Sequence, residues 1–201
     1  MLPEEDPDVN ETSQPTRPPA AAGTGDRTAA AETARYRVVI RAPIHKVWAE
    51  LTRTDTVLPF FFNGVCRTPG LAAGAPMRMQ SKDGRNTSVV GDVLEFDPPH
   101  RYAHTFKFTN LDDPPCVVRY VLKEVAEGTE FTLITENVPA GTKTEKYMIS
   151  GGDFITKNLK AVVETGKPTA GGRFALLMMS LFAPFTPKQS RSENWPFDRK
   201  T

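Results

Sequence analysis

The strongest pattern of apolar and polar positions runs from Thr142 to Pro168, and it predicts one long helix. Small or apolar residues recur there at alternating spacings of four and three, with charged residues on the opposite side. Thr142 followed by Glu145 has the form of a capping box, and Gly166 before Pro168 is a typical stop. The predicted apolar face consists of Met148, Gly152, Ile155, Leu159 and Val162.

The adjacent glycines Gly151 and Gly152 interrupt this helix, although each glycine in a helix costs about 1 kcal/mol relative to alanine. One interpretation is close packing of the helix on a sheet. The other is that the missing side chains leave space for a bound molecule between helix and sheet. We expect the pair to face the sheet and to bound a cavity.

The chain before this helix has the alternating pattern of β-strands, with one helix near its start. Ala42-Pro43 opens that helix, whose apolar stripe runs from Ile44 to Leu51, and a second short helix is expected at 55–58. Strands are predicted at 36–40, 65–67, 76–80, 88–96, 102–108, 117–125 and 131–135. An antiparallel sheet needs a cover for its apolar face. We therefore expect an α+β fold, a curved antiparallel sheet of six to seven strands wrapped on the long helix.

Composition divides the 201 residues into three parts. Residues 1–34 are rich in Pro, Ala and acidic residues and are expected to be disordered, residues 35–167 form the domain, and residues 168–201 form a C-terminal extension with an apolar helix. The net charge of +1 gives no strong field for nucleic acid. No apolar run is long enough for a membrane span, and no secretory signal is seen. The two cysteines lack metal-like spacing, so we expect a cytoplasmic protein without metal or cofactor.

The most apolar run of the chain is 174–185, which lies in the extension. Phe174, Leu177, Met178 and Leu181 have helical spacing, and Pro184 would end the helix. An exposed patch of this kind needs a cover. The pattern favours docking on the domain itself, with a second copy of the chain or a membrane surface as the alternatives.

Several short motifs, taken in order, resemble a known family over about residues 36–167. They are Ala42-Pro43 with Val47-Trp48, Gly91-x-Val93-x-Glu95 followed by Asp97-Pro98-Pro99, Gly128-Thr129, and Gly151-Gly152 with Asn158-Leu159-Lys160 and Glu164-Thr165-Gly166. This set resembles the activator-of-heat-shock-protein-90-ATPase homologue branch of the START-like (SRPBCC) superfamily. The resemblance implies a helix-grip fold, also called birch-pollen-allergen-like, with a cavity under the C-terminal helix. It implies no single activity, because members bind lipids, sterols or aromatic polyketides, act as cyclases, or assist a chaperone.

We therefore expect a protein that binds a small hydrophobic or aromatic ligand between sheet and helix. A co-chaperone-type interaction module and a cyclase- or hydrolase-type enzyme are the alternatives. No nucleophile motif is present, so no catalytic residue is assigned and the sequence favours a non-enzyme. Glu95 is a candidate buried carboxylate with a raised pKa if its face points inward. The pocket candidates are Trp48, Phe60, Phe61, Glu95, His104, Phe106, Phe108, Tyr120, Phe131, Leu133, Met148, Gly151, Gly152, Ile155 and Leu159.

Overall fold

A computed structural model describes residues 32–182 and 186–198. The strands are β1 (Glu32–Ile40), β2 (Val57–Leu58), β3 (Gly64–Arg67), β4 (Pro76–Gln80), β5 (Thr87–Asp97), β6 (Arg101–Phe108), β7 (Cys116–Val125) and β8 (Gly128–Glu136). The helices are α1 (Ile44–Leu51), α2 (Lys143–Thr165) and α3 (Ala170–Phe182), and short 3-10 turns lie at Pro59–Phe61, Lys188–Ser190 and Ser192–Asn194.

The eight strands form one antiparallel sheet in the order β1-β8-β7-β6-β5-β4-β3-β2. Its concave face packs on α1 and α2, and the α+β helix-grip fold predicted from the sequence is confirmed. The strand count is eight rather than six or seven. The additional strand, β2, replaces the short helix expected at 55–58. Leu58 precedes Pro59, and the residue before a proline is driven into extended backbone, so the chain at this point cannot be helical.

The first strand begins at Glu32, four residues before the predicted start. Strand β8 pairs with it along this whole length, from Glu32 opposite Glu136 to Ile40 opposite Thr129. The sequence pattern could not show this, because the extra residues are held by backbone pairing rather than by apolar side chains. The predicted disorder of residues 1–34 falls mostly on residues outside the described part of the chain.

Helix α2 has the ends that its sequence predicts. The Thr142 hydroxyl accepts a hydrogen bond from the Glu145 backbone N–H at 3.3 Å, and Glu145 Oε2 accepts one from the Gly141 N–H at 2.8 Å. Gly166 ends the helix with a φ of 77°, in the left-handed region that glycine tolerates. With 23 residues the helix is about 34 Å long, so it crosses the sheet.

The charged face of α2 also holds the helix on the sheet. Lys160 Nζ donates to the Val39 carbonyl at 2.6 Å, and Glu164 Oε1 accepts from the Arg41 backbone N–H at 2.7 Å. These two side chains pair with each other at 2.6 Å. The last turns of α2 are therefore tied to the end of β1.

Helix α3 leaves its apolar face uncovered. Phe174, Leu177 and Leu181 are 66%, 58% and 60% exposed, whereas Leu176 on the other side of the helix is buried. The favoured expectation, that the apolar run docks on its own domain, is therefore wrong. The packing contact of α3 with the domain is made instead by the side of the helix that carries Leu176. Pro184 lies outside the described residues.

The segment 186–198 runs over the outer face of β4 and β5. Ser192 N–H donates to the Arg85 carbonyl at 2.9 Å, and the Thr109 hydroxyl donates to the Ser190 hydroxyl at 2.9 Å. Underneath, Arg78 is completely buried and donates to the carbonyls of Trp195 at 3.3 Å and Pro196 at 3.1 Å. The segment thus covers a buried guanidinium on the face of the sheet opposite the core.

We predict that Arg78→Ala lowers the free energy of unfolding by about 2–3 kcal/mol, because buried carbonyls lose a charged donor. Thermal and urea denaturation measure this loss. Arg85→Ala, at a side chain that is 84% exposed, is the control and should change stability little. In a chain ending at residue 185 the effect of Arg78→Ala should be smaller, since the carbonyls of 195 and 196 are gone and Arg78 is open to water, although the carbonyls of Met77 and Gly91 stay in place. Equal losses in both chain lengths would contradict this account.

Candidate binding cavity

A small cavity lies at one end of the concave face of the sheet. Its walls come from the end of α1, the Pro59–Phe61 turn, β3, β4, β6 and β7. Its volume is about 20 Å³, room for about one water molecule. Four of the predicted pocket residues line it, namely Phe60, Phe61, His104 and Tyr120.

Strands β6 and β7 supply the polar side of the cavity. Tyr102 and His104 alternate inward along β6, as predicted, and Tyr120 stands directly opposite Tyr102 on β7. The Tyr102 ring lies 5.2 Å from the His104 ring and 5.6 Å from the Tyr120 ring, measured between ring centroids. Period-two alternation on two paired strands therefore brings three polar aromatic side chains together.

The hydrogen bonds of this group are incomplete. His104 Nδ1 lies 2.8 Å from the Thr105 carbonyl, so Nδ1 carries the proton and Nε2 is left as an acceptor. The Tyr102 hydroxyl is buried and has no hydrogen-bond partner among the described residues. An unpartnered buried hydroxyl costs about 1–3 kcal/mol, so this atom marks a place where the folded chain is left unsatisfied.

Burial keeps Cys66, Tyr102, His104 and Tyr120 uncharged at neutral pH. The charged residue of the lining is Arg53, which pairs with Glu50 at 2.9 Å. Desolvation lowers the pKa of His104 to about 4 and raises the pKa of the Cys66 thiol to about 11. Desolvation also raises the pKa of Tyr102 and of Tyr120 above the ordinary phenol value. The cavity therefore offers hydroxyl donors and an imidazole acceptor in apolar surroundings, which suits the polar atom of an uncharged molecule.

The other predicted pocket residues lie outside this cavity, and no residue of α2 lines it. Trp48 packs on Phe96 at 5.3 Å between ring centroids, and Phe108 is partly buried against Tyr147 of α2 at 5.6 Å. The remaining apolar candidates are buried in the core that joins sheet and helix: Phe106, Phe131, Leu133, Met148, Ile155 and Leu159. The cavity expected under α2 is thus displaced to the end of the sheet.

The glycine pair explains the displacement. A Cβ atom on Gly152 would lie 2.3 Å from Cε2 of Tyr36, so the ring of Tyr36 already fills the space that the missing side chain leaves. The Tyr36 hydroxyl donates to the Ile149 carbonyl at 3.1 Å. A Cβ atom on Gly151 would make ordinary contact with Phe62 at 3.9 Å. Close packing is therefore the correct interpretation at Gly152, and the expected void at this position is wrong.

Glu95 is placed on the outer face of the sheet by a β-bulge. Val93 pairs with His104, but Glu95 pairs with Ala103, so one extra residue is inserted in β5 and the alternation changes phase. Glu95 forms ion pairs with Arg119 and, at 3.6 Å, with Arg101. The proposed buried carboxylate is thus an outer-face ion pair, and its removal from the pocket leaves no carboxylate among the lining residues.

Several lining residues were absent from the predicted site. Tyr102 could have been found, because it shares the alternation of His104 along β6. Cys66, Met77 and Met79 could not be found so easily, since they lie on short strands whose register depends on their partners.

A curved antiparallel sheet closed over a long C-terminal helix, with a small cavity at one end, defines a helix-grip domain. The family profile described as "Activator of Hsp90 ATPase homolog 1-like protein" matches residues 41–164. Because this match covers more than half of the chain, the chain belongs to that family. A comparison with curated proteins finds no match.

Solved structures show the same fold. DynU16, "a putative protein in the dynemicin biosynthetic locus", is 27% identical with a TM-score of 0.54; the match covers 67% of this chain and 48% of DynU16, about half its length. The Aha1 dimer from Colwellia psychrerythraea is 17% identical with a TM-score of 0.53, covering 66% of this chain and 96% of that one. Protein CV1439 from Chromobacterium violaceum is 20% identical with a TM-score of 0.51, covering 65% and 96%.

We predict opposite effects of alanine at the two adjacent glycines. Gly151→Ala should raise the free energy of unfolding by up to about 1 kcal/mol through helix propensity alone. Gly152→Ala should lower it by about 1–2 kcal/mol, because the new methyl group must displace the Tyr36 ring. Urea denaturation measures both. If Gly152→Ala stabilises as much as Gly151→Ala, the Tyr36 contact does not exist in solution.

The buried His104 should make stability fall with acidity. Its pKa of about 4 in the folded chain is below the ordinary value near 6.5. The unfolded chain therefore binds the proton first, so the stability from this group is full above about pH 6.5 and falls until about pH 4. The expected loss is roughly 3 kcal/mol. His104→Phe should flatten this part of the curve of stability against pH, while His45→Gln, at an exposed position, should not.

Proposed function

We propose that the protein binds a small, uncharged apolar or aromatic molecule at the cavity lined by Tyr102, His104 and Tyr120. The observation that carries this proposal is the buried Tyr102 hydroxyl without a partner, beside a His104 ring whose Nε2 is an acceptor. Buried polar atoms are nearly always paired in native proteins. A ligand hydroxyl or carbonyl in the cavity would supply the missing partner.

The ligand must be larger than the present cavity, so one wall has to move. We assign this movement to the Pro59–Phe61 turn, because it supplies Phe60 and Phe61 to the lining of the cavity. Phe62 and Asn63 directly after the turn have φ values of 52° and 57°, a left-handed conformation that strains a bulky residue such as phenylalanine. Stored strain beside a closed cavity favours a turn with a second, open arrangement.

The uncharged side chains of Tyr102, His104 and Tyr120 favour an uncharged ligand. An ionised ligand would lose its hydration without meeting an opposite charge on the three polar aromatic residues. The relationship to DynU16, whose title places it in a biosynthetic locus, supports a role with small molecules. We place the protein in the cytoplasm, and we assign no catalytic step because the lining residues include no carboxylate.

A protein-interaction role of the co-chaperone type is the second candidate. Two observations favour it, the family description and the small volume of the cavity. Native mass spectrometry of protein purified from its own host separates the candidates. A co-purified small molecule supports ligand binding, and a co-purified protein without a small molecule supports the interaction role.

Binding should discriminate by charge between ligands of one shape. We predict that fluorescence titration detects binding of 2-naphthol, which is neutral at pH 7. We expect 2-naphthoate to bind at least about tenfold more weakly, because its carboxylate is desolvated beside uncharged side chains while Arg53 is already paired with Glu50. Equal binding of the two probes would contradict a neutral cavity. Binding of neither probe, at concentrations near the solubility limit, would contradict the proposed function.

Tyr102→Phe should weaken ligand binding without lowering the stability of the fold. Removal of the unpartnered hydroxyl should leave the free energy of unfolding unchanged or raise it by up to about 1 kcal/mol. The same change should weaken 2-naphthol binding about fivefold, the equivalent of one lost hydrogen bond. Tyr147→Phe, at a tyrosine that is 47% exposed on α2, is the matched control and should alter neither quantity.

A further inference from the structure

Helix α3 displays apolar side chains to solvent over most of one side. Phe174, Leu177 and Leu181 are each more than half exposed, and Met178 between them is 37% exposed. At 100° per residue these four positions lie within about one third of the helix circumference, on the side away from the buried Leu176. The face is contiguous, so it is a patch rather than scattered single residues.

The start of this helix is held firmly against α2. The Asn158 Oδ1 atom accepts hydrogen bonds from the Thr169 backbone N–H and hydroxyl, each at 3.0 Å. The Thr169 hydroxyl in turn caps the helix by accepting from the Gly172 N–H at 2.9 Å. A Cβ atom on Gly172 would lie 2.1 Å from Asn158 Oδ1, so only glycine permits this approach. The patch is therefore presented on an anchored helix.

The charges that flank the patch along the chain are all of one sign. Between Glu164 and Glu193 the sequence contains four basic residues and no acidic residue. Lys167 and Arg173 are exposed at the start of α3, and Lys188 is exposed beyond its end. An apolar face between basic residues is complementary to a surface with acidic head groups above an apolar layer, where each nearby base adds to the binding.

The size of the patch argues against a second copy of the chain as its cover. A helix of 13 residues is about 20 Å long and about 10 Å wide. Two such faces crossing each other would bury well below the roughly 800 Å² per partner of a specific protein interface. A lipid surface has no such minimum, since apolar side chains and basic residues contribute to binding one by one.

We infer that α3 docks the protein on an anionic lipid surface. The helix lies in the plane of the interface with Phe174, Leu177 and Leu181 inserted among the acyl chains. Lys167 and Arg173 stay at the level of the head groups. None of the helices in the described ranges is long and apolar enough to cross a membrane.

Vesicle flotation of the full chain tests this inference. The protein should float with vesicles in which phosphatidylglycerol replaces part of the phosphatidylcholine, bind less to phosphatidylcholine alone, and dissociate as salt is raised. Phe174→Gln combined with Leu181→Gln keeps helix propensity and should lower binding at least about tenfold. Ile149→Gln, at an apolar residue 54% exposed on α2, is the matched control and should bind as the parent does.

Three results would overturn the inference. The first is the absence of binding to either vesicle type, and the second is an equal loss of binding in Ile149→Gln and in the α3 double variant. The third is a dimer of the parent chain, seen by light scattering without lipid, that the α3 double variant converts to monomer. That last result would assign the patch to a second copy.

Discussion

The contact between the Tyr36 ring and Gly152 sets the distance between α2 and the sheet. At this position the Tyr36 ring of β1 packs directly on the helix backbone. Lys160 and Glu164 tie the next turns to the end of the same strand. With the helix this close, the apolar side chains of both layers fill the space between them. The small cavity lies instead beyond the helix, beside the turn Pro59–Phe61, at the end of the sheet.

Features that depend on near neighbours along the chain were predictable from the sequence. Residues three or four positions apart define the caps and the buried face of α2. Alternation along β6 shows which of its side chains point inward. The bulge in β5 was not predictable, because a bulge depends on how two strands pair. It moves Glu95 from the expected inner face of the sheet to the outer face. The role of Gly152 depended on Tyr36, more than a hundred residues away in the sequence.

The contrast between local pattern and distant contacts also explains which site residues were predicted correctly. His104 and Tyr120 were found because alternation shows which side chains point inward. Alternation cannot show whether an inward side chain meets another side chain or empty space. Phe131 and Leu133 therefore resembled pocket residues in the sequence as closely as Tyr120 did, although they are packed core.

The buried guanidinium of Arg78 has a consequence for the order of folding. Two of its carbonyl partners, Met77 and Gly91, lie in the sheet, but the other two, on residues 195 and 196, are made much later than the strand that carries Arg78. While the chain is being synthesised, the sheet and α2 can assemble before the covering segment has left the ribosome. During that interval Arg78 is hydrated on an open face of the sheet. The full stability of the domain is therefore acquired only once the segment 186–198 has emerged and covered this face, so the burial of Arg78 is a late step of folding.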